Sequence, residues 1–383
     1  MAKHLPVTGA IFLLVALSSC ASPQASPTPT STRATLTSPT SPHATSTTSP
    51  LPKPIFLSGT GGNPALLPPP RGYHQMAYDV ESDRAILFSG EASPESGFLG
   101  ATWAYDLAIN SWQQMAPAQS PESAAAADCL AYDFESDRVI LFVGSYFYGL
   151  GHDPEQTAAG ETWAYDFNSD SWTKMHPATS PFGVVGARMA YDAESDRIIL
   201  FGGAEAGTFT PTDATWSYDF NSDTWTEMGP EERPQAEYFH AMTYSPRDDR
   251  VILLKAYPNQ LWGYDYDVDT WQQLQPPTMP PARYYSSLVY DEVSDRVLLF
   301  GGESAASEKP LADLWSFDSL ANQWTELAPE NPPGARGWHA AAYGAVARLM
   351  LLFGGGPSRE SFTDETWLYD PKRNSWTEVV LPP

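Results

Sequence analysis

The chain has 383 residues, is rich in proline and aromatic side chains (36 Pro, 13 Trp, 19 Tyr, 17 Phe) and carries a formal charge of −25. All 46 acidic residues lie from Asp79 onward, against 17 Lys and Arg in that stretch, so this part carries about −29 and is excluded as a nucleic-acid binder. Cys20 and Cys129 are the only cysteines, so no disulfide framework is expected and stability has to come from packing.

At the amino terminus Lys3 precedes an apolar stretch from about Leu5 to Leu17, too short for a stable membrane span. It runs into Leu17-Ser18-Ser19-Cys20, which resembles the lipobox of a bacterial lipoprotein signal spanning residues 1–20. The resemblance implies that Cys20 is diacylated, becomes the mature first residue and anchors the protein outside the cytoplasm at the cell envelope. An ordinary secretory signal cut nearby is the alternative. Leu5-Pro6-Val7-Thr8-Gly9 spells a sortase motif but sits at the wrong end of the chain for one. Residues 21–54 are Ser, Thr and Pro with almost no aromatics; they cannot bury a core and read as an extended stalk. Residues 55–383 suit one large all-β domain.

Within that domain a Trp, a Tyr-Asp or Phe-Asp pair and a second Trp nine positions after the first recur six times. The pairs are Trp103/Trp112, Trp163/Trp172, Trp216/Trp225, Trp262/Trp271, Trp315/Trp324 and Trp367/Trp376, with leading tryptophans 60, 53, 46, 53 and 52 residues apart. That period fits four-stranded propeller blades. In the third unit a strand over about Arg188 to Tyr191 and an acidic turn lead into Ile198-Ile199-Leu200-Phe201, an unbroken apolar run buried on both faces. Gly202-Gly203 ends it, Thr215 to Tyr218 form a third strand, and Thr224 to Met228 an outer one.

The glycine doublet, Tyr-Asp pair and spaced Trp resemble the kelch-repeat family over roughly residues 71 to 380. The resemblance implies a six-bladed kelch-type β-propeller with four antiparallel strands per blade. Each repeat holds its four strands in the same order, so no swapped terminal strand is required, although Ile55 to Gly59 are able to add an edge strand to the last blade. The doublet becomes Ser89-Gly90 and Val143-Gly144 in blades 1 and 2, and is lost to Lys255-Ala256 in blade 4. These departures are expected to cost local order. Cys129 falls in an innermost strand and reads as a small buried hydrophobe.

Many acids cluster in the turns between first and second strands (Asp79 to Asp83, Asp133 to Asp137, Asp192 to Asp196, Asp291 to Asp295) and between third and fourth strands (Asp166 to Asp170, Asp219 to Asp223). Calcium binding is one reading; turn chemistry, with Arg84, Arg138, Arg197, Arg250 and Arg296 each paired to a neighbouring carboxylate, is the favoured one. The Asn-Ser-Asp-Thr-Trp segment resembles a sialidase Asp-box but lacks its Gly.

The opposite face carries the candidate site. Arg71, Arg283 and Arg336 occupy equivalent places before the innermost strands, Tyr73, Phe239, Tyr285 and Trp338 another, and His74, His240 and His339 come next. The resemblance to kelch-type substrate adaptors implies that these arginines and aromatics meet a ligand at the channel mouth, with Trp338 exposed there. For the histidines, packing inside the inner strands is an equal reading. The loop between second and third strands is long in blade 2, where it holds Tyr146, Phe147, Tyr148 and His152, and short in blade 4, where it leaves Tyr257 and Asn259 beside a gap. Such a notch suits binding, and covering a hydrophobic patch is the alternative.

Two functions are open: a non-catalytic module binding a protein segment or a glycan, and a sugar-active enzyme similar to sialic acid mutarotase or galactose oxidase. For the second, Glu237 with Arg283 or Arg336 is a candidate acid and anion clamp. Nothing resembles a nucleophile-base-orienter set, a P-loop or a zinc motif, and neither cofactor nor metal is expected. The favoured reading is the binding module, a monomer touching the membrane only through its lipid. Convergence of Glu237 and the three histidines on one point would favour chemistry.

Overall fold

The computed structural model describes residues 67–93, 97–121, 129–144, 160–205 and 208–380. All regular structure among them is β-strand, in six four-stranded antiparallel sheets whose strands pair in chain order and three short two-stranded ribbons. The innermost strands are Gln75–Asp79, Cys129–Asp133, Arg188–Asp192, Ala241–Ser245, Ser287–Asp291 and Ala340–Gly344. Each blade takes all four strands from its own repeat: blade 1 ends at Ser111–Gln114 and blade 6 runs from Ala340–Gly344 to Ser375–Glu378. The Ile55 to Gly59 segment and the proposed signal and stalk lie outside the described residues.

Both faces of every sheet are buried because each is sandwiched between its neighbours. The apolar side chains fall into six clusters, one per pair of adjacent blades, including one between blades 1 and 6. The apolar runs of the second strands are buried, with Ile198 to Phe201 at most 1% exposed, as their unbroken apolar character requires. In blades 2 to 6 the outer-strand member of each tryptophan pair lies deeper, from Trp271 at 0% to Trp172 at 4%; in blade 1 Trp112 at 6% is the shallower of the two. The outer-strand ring packs on the Phe that ends the second strand of the preceding blade: Trp172 on Phe88 at 5.2 Å, Trp225 on Phe142 at 5.4 Å, Trp271 on Phe201 at 5.1 Å and Trp376 on Phe300 at 5.0 Å.

The same indoles donate to a threonine just before the leading Trp of the preceding blade. Trp172 Nε1 reaches Thr102 Oγ1 at 2.9 Å, Trp225 reaches Thr162 at 2.8 Å, Trp271 reaches Thr215 at 2.9 Å, and Trp112 reaches Thr366 at 2.9 Å. Blades 4 and 5 have Leu261 and Leu314 in that place, and the indole nitrogens that face them, Trp324 and Trp376, are buried without a partner. The Trp112–Thr366 bond joins the first blade to the last. Around it lie the Trp112–Phe353 ring contact at 4.9 Å and the bond from Val346 N to Tyr78 Oη at 3.3 Å. The ring therefore closes between two complete blades, without an exchanged strand.

The acids of the lower face, where the strand 1–2 and strand 3–4 turns emerge, are turn residues. Asp83, Asp137, Asp196, Asp249 and Asp295 end the first set of turns with φ between 50° and 57°, and Asp tolerates this left-handed backbone better than most residues. Their carboxylates accept the hydroxyl of the preceding tyrosine, as Tyr78 to Asp83 at 2.6 Å and Tyr244 to Asp249 at 2.8 Å. Asn110, Asp170, Asp223, Asp269 and Asn374 do the same work in the second set, and Asn322 shares their backbone, with φ of 47–51°, but follows Phe317 and has no hydroxyl to accept. Arg84, Arg138, Arg197 and Arg296 pair with Asp106, Asp166, Asp219 and Asp318 at 2.7–3.4 Å. Arg250 departs from this expectation and donates to the Gln272 amide oxygen at 2.8 Å.

Thr366→Val keeps the shape at the closure but removes the acceptor for Trp112, leaving a buried donor unpaired. The unfolding free energy is expected to fall by about 1–2 kcal/mol, read from denaturant melts. An unchanged midpoint would show that this bond contributes nothing to closing the ring.

Candidate functional site

The upper face is formed by the loops leading into each innermost strand and by those between second and third strands. At its centre four aromatic residues take left-handed backbone: Tyr73 (φ 61°), Phe239 (58°), Tyr285 (57°) and Trp338 (62°). Bulky residues rarely accept this conformation. Here a chain of backbone bonds holds them, each N–H donating to the equivalent carbonyl of the neighbouring blade: Tyr73 to Trp338 at 2.9 Å, Trp338 to Tyr285 at 3.1 Å, Tyr285 to Phe239 at 3.2 Å, and Phe239 to Gly186 at 2.7 Å. Gly186 fills the same place in blade 3 with φ 72°, and a Cβ there would sit 2.8 Å from the Phe239 ring.

The four side chains meet on the axis of the ring. Tyr73 in blade 1 lies 5.9 Å from Phe239 in blade 4, directly across the channel, and 5.5 Å from Tyr285; Tyr285 lies 5.2 Å from Trp338. With Val185 they form a seventh apolar cluster. Burial pushes the Tyr73 hydroxyl up to about 12. Trp338 is 6% exposed, which overturns the expectation of an exposed recognition residue: the indole is part of a plug. Its size is explained by the axis, where one ring must span toward rings from other blades.

The arginines are brackets. Arg283 donates from Nε to Pro281 O at 2.9 Å, from Nη1 to Gly301 O at 3.0 Å, and from both terminal nitrogens to Asp313 at 2.7 Å. Arg336 repeats the scheme with Gly334 O, Gly354 O and Glu365 at 3.0, 3.2 and 2.6 Å. Asp313 and Glu365 also accept the indole N–H of Trp315 and Trp367. Burial works to raise both carboxyls, but the bonds and charge of the arginines prevail and hold them below their ordinary values. Arg71 makes the first two bonds, to Pro69 O at 3.1 Å and Ser89 O at 2.9 Å. The carboxylate position in blade 1 is Ala101, and Arg71 Nη2 and Trp103 Nε1 are both buried without a partner. Burial lowers Arg71 to about 10.

The histidines follow the packing reading. His74, His240 and His339 each lie edge-on to the Phe of the preceding blade, at 5.5 Å from Phe353, Phe201 and Phe300; His74 Nε2 donates to Phe353 O at 3.1 Å. Burial lowers His339 to about 3, with the Arg336 charge adding to it, and puts His74 and His240 well below the usual imidazole value. All three stay neutral at physiological pH and serve three different blade joints. They do not converge with Glu237 on one point.

Glu237 replaces the missing glycine doublet of blade 4. In blades 3, 5 and 6 the second Gly donates to the lead-in loop of the next blade, as Gly203 N to Glu237 O, Gly302 N to Arg336 O and Gly355 N to Arg71 O, all at 2.9 Å. A Cβ on the first Gly would lie 2.7 Å from that same carbonyl oxygen. Blade 4 instead turns through Ala256 and Tyr257, whose N–H groups donate to the Glu237 carboxylate at 3.0 and 2.8 Å, while Lys255 Nζ donates to Gln235 O. Burial raises the Glu237 carboxyl against the pull of these N–H groups and of Lys255. Local order is thus kept by a buried acid in place of two glycines.

Ten of the residues expected at a ligand are buried: Arg71, Tyr73, His74, Glu237, Phe239, His240, Arg283, Arg336, Trp338 and His339. Tyr285 is half-buried, and Tyr146 and Tyr148 lie outside the described residues. What the upper face does expose is a different aromatic set on blades 3 to 5: Phe182 (68%), Phe209 (47%), Tyr238 (38%) and Tyr257 (78%). Tyr284 lies beside them, its hydroxyl raised first by burial and then by Glu237, Tyr238 and Tyr257. Phe182, Phe209 and Tyr238 fall at no recurring position of the repeat, so spacing and register give no signal for them, whereas Tyr257 stands out beside the shortened loop of blade 4.

Ala101→Asp supplies blade 1 with the acceptor that blades 5 and 6 already have. Stability is expected to rise by about 1 kcal/mol, measured by chemical denaturation. A fall instead would mean that Arg71 and Trp103 have no room for a carboxylate between them.

Residues 63–254 match the Attractin/LZTR1 beta-propeller and residues 254–382 the KLHDC2/KLHL20/DRC7 Kelch-repeats domain. No curated protein matches the sequence. The two matches meet inside blade 4 and cover all six blades, whose glycine doublets, Tyr-Asp pairs and spaced tryptophans build the joints described above: the chain belongs to the kelch-repeat β-propeller family.

Proposed function

We propose that this propeller is a non-catalytic binding module that takes an extended protein segment across blades 3 to 5 of its upper face, and that a lipid on Cys20 holds it at the bacterial cell envelope. The observation that carries the binding reading is the exposed set Phe182, Phe209, Tyr238 and Tyr257, next to a plug that leaves the channel closed from this side. Exposed aromatics on a rigid frame give a large contact area for little entropy lost. Loops supported by a scaffold are where binding residues concentrate, and protein partners are what kelch propellers generally take. The buried histidines and Glu237, each committed to a joint or a turn, give the sugar-active reading no support.

Peptide and glycan arrays probed with the purified propeller test the ligand class. Peptide binding is expected, and Tyr238→Ser with Tyr257→Ser should weaken it at least about tenfold with the thermal midpoint unchanged. Glycan binding alone, or peptide binding unaffected by the double substitution, would remove the reading.

The anchor is supported by the lipobox-like Leu17-Ser18-Ser19-Cys20 and the Ser/Thr/Pro stretch that follows. Attachment through acyl chains rests on that one thiol. Cys20→Ser should shift the protein from the membrane to the soluble fraction and abolish metabolic labelling with palmitate. Labelling that persists would show the assignment to be wrong.

A further inference from the structure

Beneath the aromatic plug the channel is a cavity of about 420 Å³, lined by the innermost strands of all six blades and open on the lower face. Its wall is nearly uncharged. At the plugged end the first residue of each inner strand is Gln75, Cys129, Arg188, Ala241, Ser287 or Ala340, so blade 3 alone contributes a charge. At the open end the ring just past the strands is Val80, Phe134, Ala193, Pro246, Glu292 and Ala345, again with a single charge, from blade 5. Arg188 and Glu292 are thus one cation and one anion at opposite ends of the same lumen.

Arg188 has no carboxylate partner among the described residues. Its Nη1 donates to Ala187 O at 2.9 Å, and Nε and Nη2, the edge that grips a planar acceptor in bidentate fashion, have no partner among them. Arg188 is half-buried in the channel wall, and this desolvation lowers its pKa. Among the described residues Cys129, Tyr285 and His240 interact with it electrostatically, and none of them is a carboxylate. His339, the other ionisable nitrogen lining the cavity, is held neutral. The walls between are Ala131, Ala190, Ala342 and Met242 with the rim tyrosines below. A charge held partly out of water normally has a partner; here the described residues supply no carboxylate, and Arg188 lines a cavity of ligand size.

We propose that the channel is a receptor for a small linear zwitterion, which enters from the lower face with its carboxylate at the Arg188 Nε and Nη2 edge and leaves its ammonium at Glu292. The acidic lower face disfavours multiply charged anions and favours a ligand whose trailing end is positive. The two rings are five residues apart, about 16 Å along the strands, and the side chains reach inward, so charges about 10 Å apart fit. An eight-carbon ω-amino acid has that spacing.

Calorimetric titration with 8-aminooctanoate, octanoate and octylamine tests this. The zwitterion should bind best, octanoate more weakly and octylamine least. Arg188→Gln, which restores the residue that blade 1 carries at the same position, should weaken both carboxylates at least about tenfold with folding retained. Glu292→Gln, at an exposed rim position, should erase only the advantage of 8-aminooctanoate over octanoate. Tyr257→Ser on the upper face should change none of these values, which separates the lumen from the surface proposed for protein partners. Equal binding of all three probes, no binding of any, or an Arg188→Gln variant that binds unchanged would overturn the proposal.

Discussion

The outer-strand tryptophan, laid on a phenylalanine of the preceding blade and bonded to its threonine, is the contact on which the ring depends. A propeller has no common centre to collapse onto, so stability is a sum over joints between neighbours, and each joint needs an apolar surface large enough to stand alone. An indole supplies it, and one donor at its edge fixes the register of the two sheets. Where Leu261 and Leu314 replace the threonine, the indoles of Trp324 and Trp376 keep their burial and lose the bond. The joint therefore tolerates the loss of direction better than it would tolerate the loss of area, in keeping with about 1 kcal/mol for a hydrogen bond against several for a buried aromatic.

Closing the ring puts a second demand on the inner ends of the blades. Six lead-in loops must converge without leaving their polar backbone groups unpaired. The chained bonds from Tyr73 through Trp338, Tyr285 and Phe239 to Gly186 meet this need, and the left-handed φ at each aromatic follows from turning every N–H toward the next blade. The strain is offset by contact among the rings on the axis. Gly186, where the backbone conformation costs little, is also where a side chain would collide with Phe239.

Much of this was legible in the sequence. The Trp spacing, the unbroken apolar second strands and the Asp and Asn of the turns each report one local rule, and the structure obeys all of them. Four of the five turn arginines pair as expected. The candidate site was legible only as a set of equivalent positions. Arg71, Arg283 and Arg336, with an aromatic two residues on, have the composition of a recognition surface, and composition does not distinguish an exposed arginine from one that brackets two loops. The deciding facts, acceptors at Asp313 and Glu365 and an aromatic reach across the axis, are long-range. Register could have gone further: aligning inner strands on their shared tyrosine, from Tyr78 to Tyr343, places Arg188 beside Gln75, Cys129, Ala241, Ser287 and Ala340, and a lone charge in that column is visible without coordinates.

Departures from the repeat are where the six-fold regularity stops being self-sufficient, and they are not scattered at random. Blade 4 lacks the doublet, has the shortest loop between its second and third strands, and uses Glu237 and Lys255 to hold a turn that glycines hold elsewhere. The shortened loop leaves Tyr257 at 78% exposed, whereas in blades 3 and 5 a loop of ordinary length at this place pairs with the blade's own lead-in loop as a two-stranded ribbon. A buried acid opposed by burial is a costly way to build a turn that two glycines build for little. Among the described residues the blade with the costliest turn is also the one whose aromatic, Tyr257, is most exposed, so the cost and the exposed ring have the same structural origin.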